Sequence, residues 1–326
     1  MMVSLIIPTK NRPLILEATI DNLFNCSKFP AHQLEVIVVN DGKEELSQLR
    51  QKYETLKIIQ NQGKGGAAGA RNTGAAVATG DLLLFIDDDI LVGEDSIHRH
   101  CTLHTEYPKA LISGAWIHNP DLVIQMKGTP FGRYKLKNDY LASHGDPQKV
   151  LKPGLFWAEA LASFNLSVLK SDFTALGGFN TEFQYAGCED QEFTMRAKAN
   201  NFLLLLDMNN INLHNEVDRA DMKKWLMRQY TGVQGFPLLC ELFPFNKQGA
   251  LYFENIPIQR NDSLRIKVKK SIKFWLSGSL TLALITGITR LLEGVNAGDR
   301  LLFRCYSALC GLYLYKGFRL SFDQEK

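Results

Sequence analysis

The sequence predicts an α/β fold, in which helices cover a mostly parallel sheet, followed by a C-terminal helical extension. Short apolar runs rich in β-branched residues alternate with segments of helical periodicity over about the first 90 residues, as in parallel sheets with crossover helices. Each run ends in polar residues or glycine. Because such sheets bind ligands beyond the carboxyl ends of their strands, we expect the chemistry at that edge.

The predicted elements fill the first two thirds of the chain. Strands are expected at residues 3–9, 34–42, 56–61 and 81–89, with helices at 14–25 and 67–79. Beyond them we expect a helix at 97–107, a long irregular region at 119–155, strand-like alternation at 156–170 and a helix at 189–201. A chain of 326 residues with 45% hydrophobic residues is long enough for one large or two modest domains.

Three adjacent carboxylates, Asp87, Asp88 and Asp89, directly follow the apolar run Leu82 to Ile86. Burying unpaired carboxylates is costly, so this strand end needs compensating positive charge. Oxygen ligands of this kind suit Mg²⁺ or Mn²⁺, which also bind the phosphates of a substrate. Asp87 and Asp89 point the same way if the backbone stays extended. The alternative is a solvated acidic turn.

A glycine-rich loop, "NQGKGGAAGARNTG", covers residues 61–74 and precedes a predicted helix. It lacks the closing Gly-Lys-Ser/Thr of a P-loop, and its glycine spacing is irregular for a dinucleotide-binding loop. Its small residues and the following helix N-terminus allow close approach of a phosphate-bearing ligand, with charge from Lys64 and Arg71. The alternative is a flexible loop with an exposed Arg71.

Two further polar sites lie later in the chain. Glu189 and Asp190 open a predicted helix, where acids complement the helix dipole, and one of them is also a candidate general base. His214 follows an apolar run and is a candidate third metal ligand, or alternatively a hydrogen-bonded histidine. His100 and His104 lie four residues apart with no accompanying acid, so we expect them at the surface.

Four segments together carry a family resemblance that spans about residues 2–215. They are "VSLIIPTKNR", "EVIVVNDG", "GARNTGAAVATGDLLLFIDDDI" and "FNLSVLKSDFTALGGFNTEFQYAGCEDQEFTMR". Their order and approximate spacing resemble family 2 glycosyltransferases with the GT-A fold. The resemblance implies an inverting enzyme that moves one sugar from a nucleotide-diphosphate sugar, with UDP-sugar as the commonest donor class, to a hydroxyl acceptor.

The resemblance also implies roles for individual residues. Contacts to the nucleotide sugar are expected from Pro8, Thr9, Arg12, Asp41, Arg71, Asp87 and Asp88. Asp87 and Asp89 match the DxD element, so Mn²⁺ or Mg²⁺ is expected at Asp89 and Asp87, with His214 as the further ligand. Asp190 matches the catalytic base, with Glu189 beside it. Residues 163–166 and 177–179 would shape the sugar and acceptor pocket, and Asn180 departs from the Asp that is common after "GGF".

Two other classes of protein remain alternatives at this stage. A sugar-phosphate nucleotidyltransferase could share the sheet and the metal-binding acids, but "PTKNRP" lacks the glycine-rich loop expected after its first strand. A non-catalytic carbohydrate-binding module would not need both the acid triplet and the Glu189–Asp190 pair. The favoured setting is the synthesis of a polysaccharide, glycolipid or other glycoconjugate, with a carbohydrate or lipid-linked acceptor.

The C-terminal segment differs from the rest in charge and hydropathy. Residues 263–326 hold 11 Lys and Arg against 4 Asp and Glu, although the whole chain carries only +3. The uncharged run 274–289 follows five basic residues and is shorter than the roughly 20 residues of a spanning helix. We expect contact with a membrane surface; the alternatives are a helical hairpin on the catalytic domain and a dimer contact. The predicted domains are residues 1–236, catalytic, and 237–326, mostly helical.

The expected location is cytoplasmic, with peripheral attachment to the inner face of the cell membrane. Six scattered cysteines show no disulfide-framework spacing, which favours a reducing compartment. The N-terminal apolar run has no basic segment before it, unlike a secretory signal. The small net charge gives no reason to expect a nucleic-acid partner.

Overall fold

The computed structural model describes residues 1–142, 149–216, 221–245 and 250–324. The chain forms two compact units, each made of two stretches of sequence. The first is Met1–Asn119 with Ala142–Glu216, and the second is Pro120–Leu141 with Val217–Lys326. This division differs from the predicted boundary after residue 236, because part of the second unit is an insertion in the middle of the first. The extent of the catalytic domain stays a prediction.

The first unit begins with alternating strands and helices. They are β1 (Val3–Thr9), α1 (Pro13–Cys26), β2 (Leu34–Asn40), α2 (Ser47–Lys52), β3 (Lys57–Gln60), α3 (Ala67–Val77), β4 (Leu82–Ile86), β5 (Ile90–Leu91), α4 (Ser96–Glu106) and β6 (Ala110–His118). The chain then enters the second unit with α5 (Pro120–Lys127) and α6 (Pro130–Ala142). It returns to the first with β7 (Val150–Lys152), β8 (Leu155–Trp157), β9 (Asn165–Leu169), α7 (Lys170–Ala175), α8 (Glu189–Ala199) and β10 (Leu203–His214).

These strands form one mixed sheet in the order β3-β2-β1-β4-β9-β6-β10-β8-β7, with β5 paired to β10. The four strands β3, β2, β1 and β4 are parallel, as the alternating pattern predicted. Strand β9 runs antiparallel to both β4 and β6, so the second half of the sheet is mixed. Alternate residues of β1 feed separate apolar cores on the two faces, Ile6 on one and Leu5 with Ile7 on the other.

Two predictions for the middle of the chain are wrong. Residues 119–155 contain the helices α5 and α6 rather than one irregular region; residues 143–148 lie outside the described part. Pro120 and Pro130 are the first residues of these helices, where the missing N–H of proline costs no hydrogen bond, so they start helices rather than break them.

His100 and His104 are buried rather than exposed. They lie on the side of α4 that faces the sheet, where both rings contact the hydroxyl of Ser167 at 2.8 and 2.9 Å. Burial lowers the pKa of His100 to about 4 and that of His104 to about 3, so both rings are neutral near pH 7.

The second unit is helical. Besides α5 and α6 it contains α9 (Met222–Gly232), α10 (Phe236–Leu242), α11 (Ala250–Asn255), α12 (Leu264–Leu276), α13 (Ser279–Gly294) and α14 (Asp299–Gln324). Its core contains Phe131, Tyr134, Leu226 and Tyr306. Arg133 donates to both oxygens of Asp299, at 2.8 and 2.6 Å, and so ties α6 to the start of α14.

In the described residues, a lone helix with the length and apolar character of a membrane span is not found. The consecutive helices α12 and α13 meet those criteria only when taken together, and they are bent by 81° at their junction.

Candidate active site

Polar side chains of the first unit collect where the parallel strands end. Thr9 closes β1, Asp41 follows β2, and the three acids Asp87 to Asp89 follow β4. The Asp41 N–H donates to the carbonyl of Thr9 at 2.8 Å, which holds the ends of the first two strands together. The sheet therefore brings these residues to one edge, as expected for parallel strands.

The three acids are directed to different partners. Asp87 accepts from Arg71 at 2.7 Å. Asp88 accepts from Thr9 and from Arg12, both at 2.7 Å, and Asp89 accepts from the other terminal nitrogen of Arg12 at 2.8 Å. Two arginines thus supply the positive charge that the sequence required at this strand end.

A possible metal-binding cluster is formed by Asp89, His214 and Glu216. One candidate ligand atom from each lies within 4.8 Å of the other two. His214 Nε2 is 3.3 Å from Asp89 Oδ1 and 3.2 Å from Glu216 Oε1. The set offers two carboxylates and one imidazole, a donor set that Mn²⁺ accepts, and all three side chains are mostly buried.

Pairing between β5 and β10 places this histidine beside the acids. His214 is the register partner of Ile90, the residue that follows Asp89. The backbone N–H of Asn215 then donates to the carbonyl of Asp89 at 2.8 Å. The ring of Trp116 on β6 packs edge-on against the ring of His214, with 5.0 Å between the ring centroids.

The acids differ in their tendency to ionise. Burial raises the pKa of Asp88 to about 7, with a contribution from the negative charge of Asp89, although Arg12 and Thr9 oppose this. Burial also disfavours ionisation of Asp89, but His214 and Arg12 together hold the pKa of Asp89 well below its usual range. Asp89 is therefore the acid of this pair that stays ionised.

Arg71 links the acid triplet to the start of α8. Its guanidinium is buried and donates to Glu189 at 3.1 Å as well as to Asp87, and it lies over the ring of Phe179 at 5.4 Å. The other oxygen of Glu189 accepts from the backbone N–H of Gly187 at 2.7 Å. Both oxygens of Glu189 are therefore committed within the protein, and the alternative of an exposed Arg71 is wrong.

Asp190 is the more accessible acid of the pair. It lies in the first turn of α8, is half-buried, and accepts from the N–H of Gln191 at 2.7 Å. Burial and the negative charge of Glu189 raise the pKa of Asp190 to about 7, while Arg71 opposes the rise. A carboxylate with a pKa near 7 is matched to proton abstraction at neutral pH.

Asp41 organises the glycine-rich loop. It accepts from Asn61 at 2.7 Å, from the N–H of Gly66 at 3.0 Å and from Lys10 at 3.0 Å. Although burial opposes ionisation, these hydrogen bonds lower the pKa of Asp41 below its usual value. Gly66 has φ of 100°, a conformation that favours glycine, and α3 begins at the next residue.

The structure brings together most of the predicted residues but not all in the predicted contacts. Thr9, Arg12, Asp88 and Asp89 form one hydrogen-bonded group, and Pro8 lies at the end of β1 beside it. Asp87 pairs with Arg71 and is not part of the cluster of Asp89, His214 and Glu216.

Sequence reasoning missed Glu216 and Trp116. Glu216 had a usable signal, because residues i and i+2 of an extended chain point to the same side and Glu216 follows His214 by two. Trp116 had none, since its contact with His214 joins two strands that are distant in sequence. Asn61 was expected at a strand end, but its hydrogen bond to Asp41 was not.

The order of the strands and the helices that flank them give the chain the α/β GT-A fold. Residues 4–150 match the model described as "Glycosyl transferase family 2". The chain is 28% identical over 203 residues to a poly(ribitol-phosphate) beta-glucosyltransferase of Bacillus spizizenii, covering 60% of this chain and 29% of that protein. It is 25% identical over 271 residues to a validoxylamine A glucosyltransferase of Streptomyces hygroscopicus, covering 74% of this chain and 58% of that protein.

Among solved structures, the mannosyltransferase PcManGT from Pyrobaculum calidifontis, in complex with GDP-Man and Mn²⁺, has the same fold. It matches with a TM-score of 0.59 at 16% identity, over 96% of this chain and 86% of that one. The sequence and structural matches agree with one another: the chain has the GT-A fold, and its residues 4–150 match glycosyltransferase family 2.

Proposed function

We propose that this protein transfers a single sugar from a nucleotide-diphosphate sugar, with a UDP-sugar as the donor to test first, to a hydroxyl acceptor with inversion and with the help of Mn²⁺ or Mg²⁺. The proposal is carried by the way Arg71 links the strand-end acids to the start of α8. Arg71 donates to Asp87, two residues before Asp89 of the candidate metal cluster, and to Glu189, the neighbour of Asp190. The relative that acts on poly(ribitol phosphate) is named as a glucosyltransferase, and PcManGT was solved with GDP-Man and Mn²⁺.

The residues present fit a divalent cation. Asp89, His214 and Glu216 would hold it, whereas Asp87 is engaged by Arg71 and is the weaker candidate. When bound, the cation neutralises the negative charge that develops on the diphosphate leaving group. Thr9, Arg12 and Asp41 would position the nucleotide beside it, and Arg12 would hold Asp89 in place.

Asp190 is proposed as the general base. Its carboxylate takes the proton of the acceptor hydroxyl as that oxygen forms a bond to the anomeric carbon. The bond from this carbon to the diphosphate oxygen breaks on the opposite side, and the electron pair leaves with the nucleotide. A single displacement of this kind inverts the anomeric centre. Glu189 is proposed as a positioning residue, because both its oxygens already accept hydrogen bonds.

The first test is a panel of UDP- and GDP-sugars, with hydrolysis of the donor measured with and without Mn²⁺. We expect release of the nucleoside diphosphate from one sugar class, loss of release with a chelator, and recovery when Mn²⁺ is returned. A nucleotidyltransferase would instead form a sugar nucleotide from a sugar phosphate and a nucleoside triphosphate. A carbohydrate-binding module would turn over neither substrate, so either result would reject the proposal.

Arg71 should set the pH range of the reaction through Asp190. Because Asp190 must be ionised to accept a proton, kcat/KM should fall about tenfold per pH unit below a pKa of about 7. The charge of Arg71 lowers the pKa of Asp190, so Arg71→Met should move this acid limb to higher pH. Arg71→Lys, which keeps the charge, should move it less. The measurement is the pH profile of kcat/KM for the three proteins.

Arg99→Met is the matched control for loss of an arginine ion pair. Arg99 donates to both oxygens of Asp207 at 2.8 Å elsewhere in the same unit. The Arg99→Met variant should have lower thermal stability, and the acid limb of its pH profile should stay at the wild-type pH. If Arg71→Met lowered the rate equally at every pH, Arg71 would act on structure alone.

We also propose a cytoplasmic location, a lipid-linked or carbohydrate acceptor, and peripheral attachment to the cell membrane. A role in building a polysaccharide, glycolipid or other glycoconjugate follows from a hydroxyl acceptor of either kind. Fractionation of cells that produce the full chain would test the location directly.

A further inference from the structure

The helices α12 and α13 each expose a line of large apolar side chains. On α12 these are Leu264, Val268, Ile272, Trp275 and Leu276, and on α13 and the residue that caps it they are Leu280, Leu284, Ile288, Leu291 and Val295. We call these ten residues the apolar face. Their spacing of mostly three and four residues places them along one side of each helix. Leu264 is 79% exposed, Trp275 75% and Leu280 88%.

This face is separate from the side that packs within the second unit. The buried residues of α13 are Leu282 and Thr289, which do not belong to the line of exposed residues. Leu284, Ile288 and Leu291 line a shallow groove that is open to solvent along the outer side of α13. A single exposed leucine needs no explanation, but two successive helices with exposed apolar lines indicate a binding surface.

Charge identifies the kind of partner. Helix α12 contains five basic residues and no acid within its 13 residues. Three of the five, Lys269, Lys270 and Lys273, pair with Glu254 or Asp262, whereas Arg265 is exposed next to Leu264 on the solvent side. Arg290 on α13 is exposed as well. Basic side chains beside an apolar line are typical of helices that lie on an anionic bilayer.

Aromatic residues at the bend support the same partner. Phe274 and Trp275 are both exposed and lie within three residues of the end of α12, and Arg319 lies over the Phe274 ring at 4.1 Å. Tryptophan rings concentrate at the level of lipid headgroups, where one side is apolar and the other is wet.

We propose that the apolar face lies in the headgroup region of an anionic phospholipid bilayer, with α12 and α13 in the plane of the membrane. The helices have 13 and 16 residues, about 20 and 24 Å at 1.5 Å per residue, each too short for a hydrocarbon core of about 30 Å. The 81° bend prevents them from acting as one straight span. The inference rests on the proposed function in one respect, which is that membrane binding would give the enzyme access to a lipid-linked acceptor.

The test is sedimentation of the full chain with vesicles of phosphatidylcholine alone and of phosphatidylcholine with phosphatidylglycerol. We expect binding to the anionic vesicles, weakened by salt, and much weaker binding to the neutral ones. Leu280→Glu should lower the partition coefficient at least about tenfold, since it replaces a leucine that the bilayer would bury with a charged side chain. Arg265→Gln should lower it about fivefold, the contribution of one basic residue near an anionic surface.

Leu14→Glu is the matched control, because Leu14 is 80% exposed on α1 in the first unit and should not affect vesicle binding. Equal binding of the wild type and Leu280→Glu would overturn the inference. So would a dimer in analytical ultracentrifugation that Leu280→Glu converts to monomers, because a second copy would then cover the face. Retention in the membrane after alkaline carbonate extraction would indicate a span and overturn it too.

Donor hydrolysis separates this inference from the proposed function. All these variants should hydrolyse the donor in solution at the wild-type rate. Vesicle binding without donor hydrolysis would reject the proposed function but would still support a membrane-binding surface. Donor hydrolysis without vesicle binding would support the proposed function and reject the membrane-binding surface.

Discussion

Replacing Asp190 with asparagine should lower the rate of sugar transfer by about 10²- to 10⁴-fold, the usual contribution of a general base. Asparagine has nearly the same shape but cannot take a proton from the acceptor hydroxyl. Donor binding should stay nearly unchanged, because the contacts of Thr9, Arg12 and Asp41 do not involve Asp190. The measurements are kcat for transfer and the Kd of the nucleotide by calorimetry.

Asp172→Asn is the control for this substitution. Asp172 also lies in the first turn of a helix, α7, is half-buried, and has a pKa that burial raises. The Asp172→Asn variant should transfer sugar at the wild-type rate. At a pH above 7, Glu189→Gln should slow transfer less than Asp190→Asn does. The reason is that Glu189 positions the general base, whereas Asp190 is the general base. Equal turnover by Asp190→Asn and the wild type would remove Asp190 from the mechanism.

Replacing Asp89 with asparagine should weaken Mn²⁺-dependent nucleotide binding by more than about 100-fold. Changes in the residues that only support a metal ligand typically cost 10- to 100-fold in affinity, and loss of a ligand charge costs more. Asp89 is fully buried, contacts Arg12, and faces His214 and Glu216, so solvent offers no substitute for its charge. Calorimetry of UDP binding with Mn²⁺ and with a chelator would measure the effect.

Asp207→Asn controls for the loss of a buried carboxylate in the same unit. Asp207 is as buried as Asp89 and pairs with Arg99, but it is not a member of the candidate metal cluster. Asp207→Asn should lower the stability of the protein, but Mn²⁺ should strengthen nucleotide binding as much as it does in the wild type. In Glu216→Gln, Mn²⁺ should strengthen nucleotide binding less. If nucleotide binding depended on Mn²⁺ as in the wild type in both Asp89→Asn and Glu216→Gln, the metal would not bind at this cluster.

The sequence was sufficient for the elements that local pattern governs. The short apolar runs predicted β1, β2, β3 and β4, and local sequence features also predicted α1, α3, α4 and α8. Local pattern was misleading where one residue type occurs in two kinds of structure. Pro120 and Pro130 favoured an irregular region, but each is the first residue of a helix. The histidine pair on α4 was expected to be exposed, but it is buried against the sheet.

The sequence by itself determined that three acids stand at the end of a buried strand and must meet positive charge, because neither apolar burial nor strand geometry can hold them unpaired. It also determined that the ends of parallel strands collect the polar residues. Only the tertiary structure decided where each acid points, which arginine it meets, and that Glu216 and His214 lie beside Asp89. The last of these depends on the pairing of β5 with β10, whose strands are more than 100 residues apart, and no local propensity encodes such a pairing.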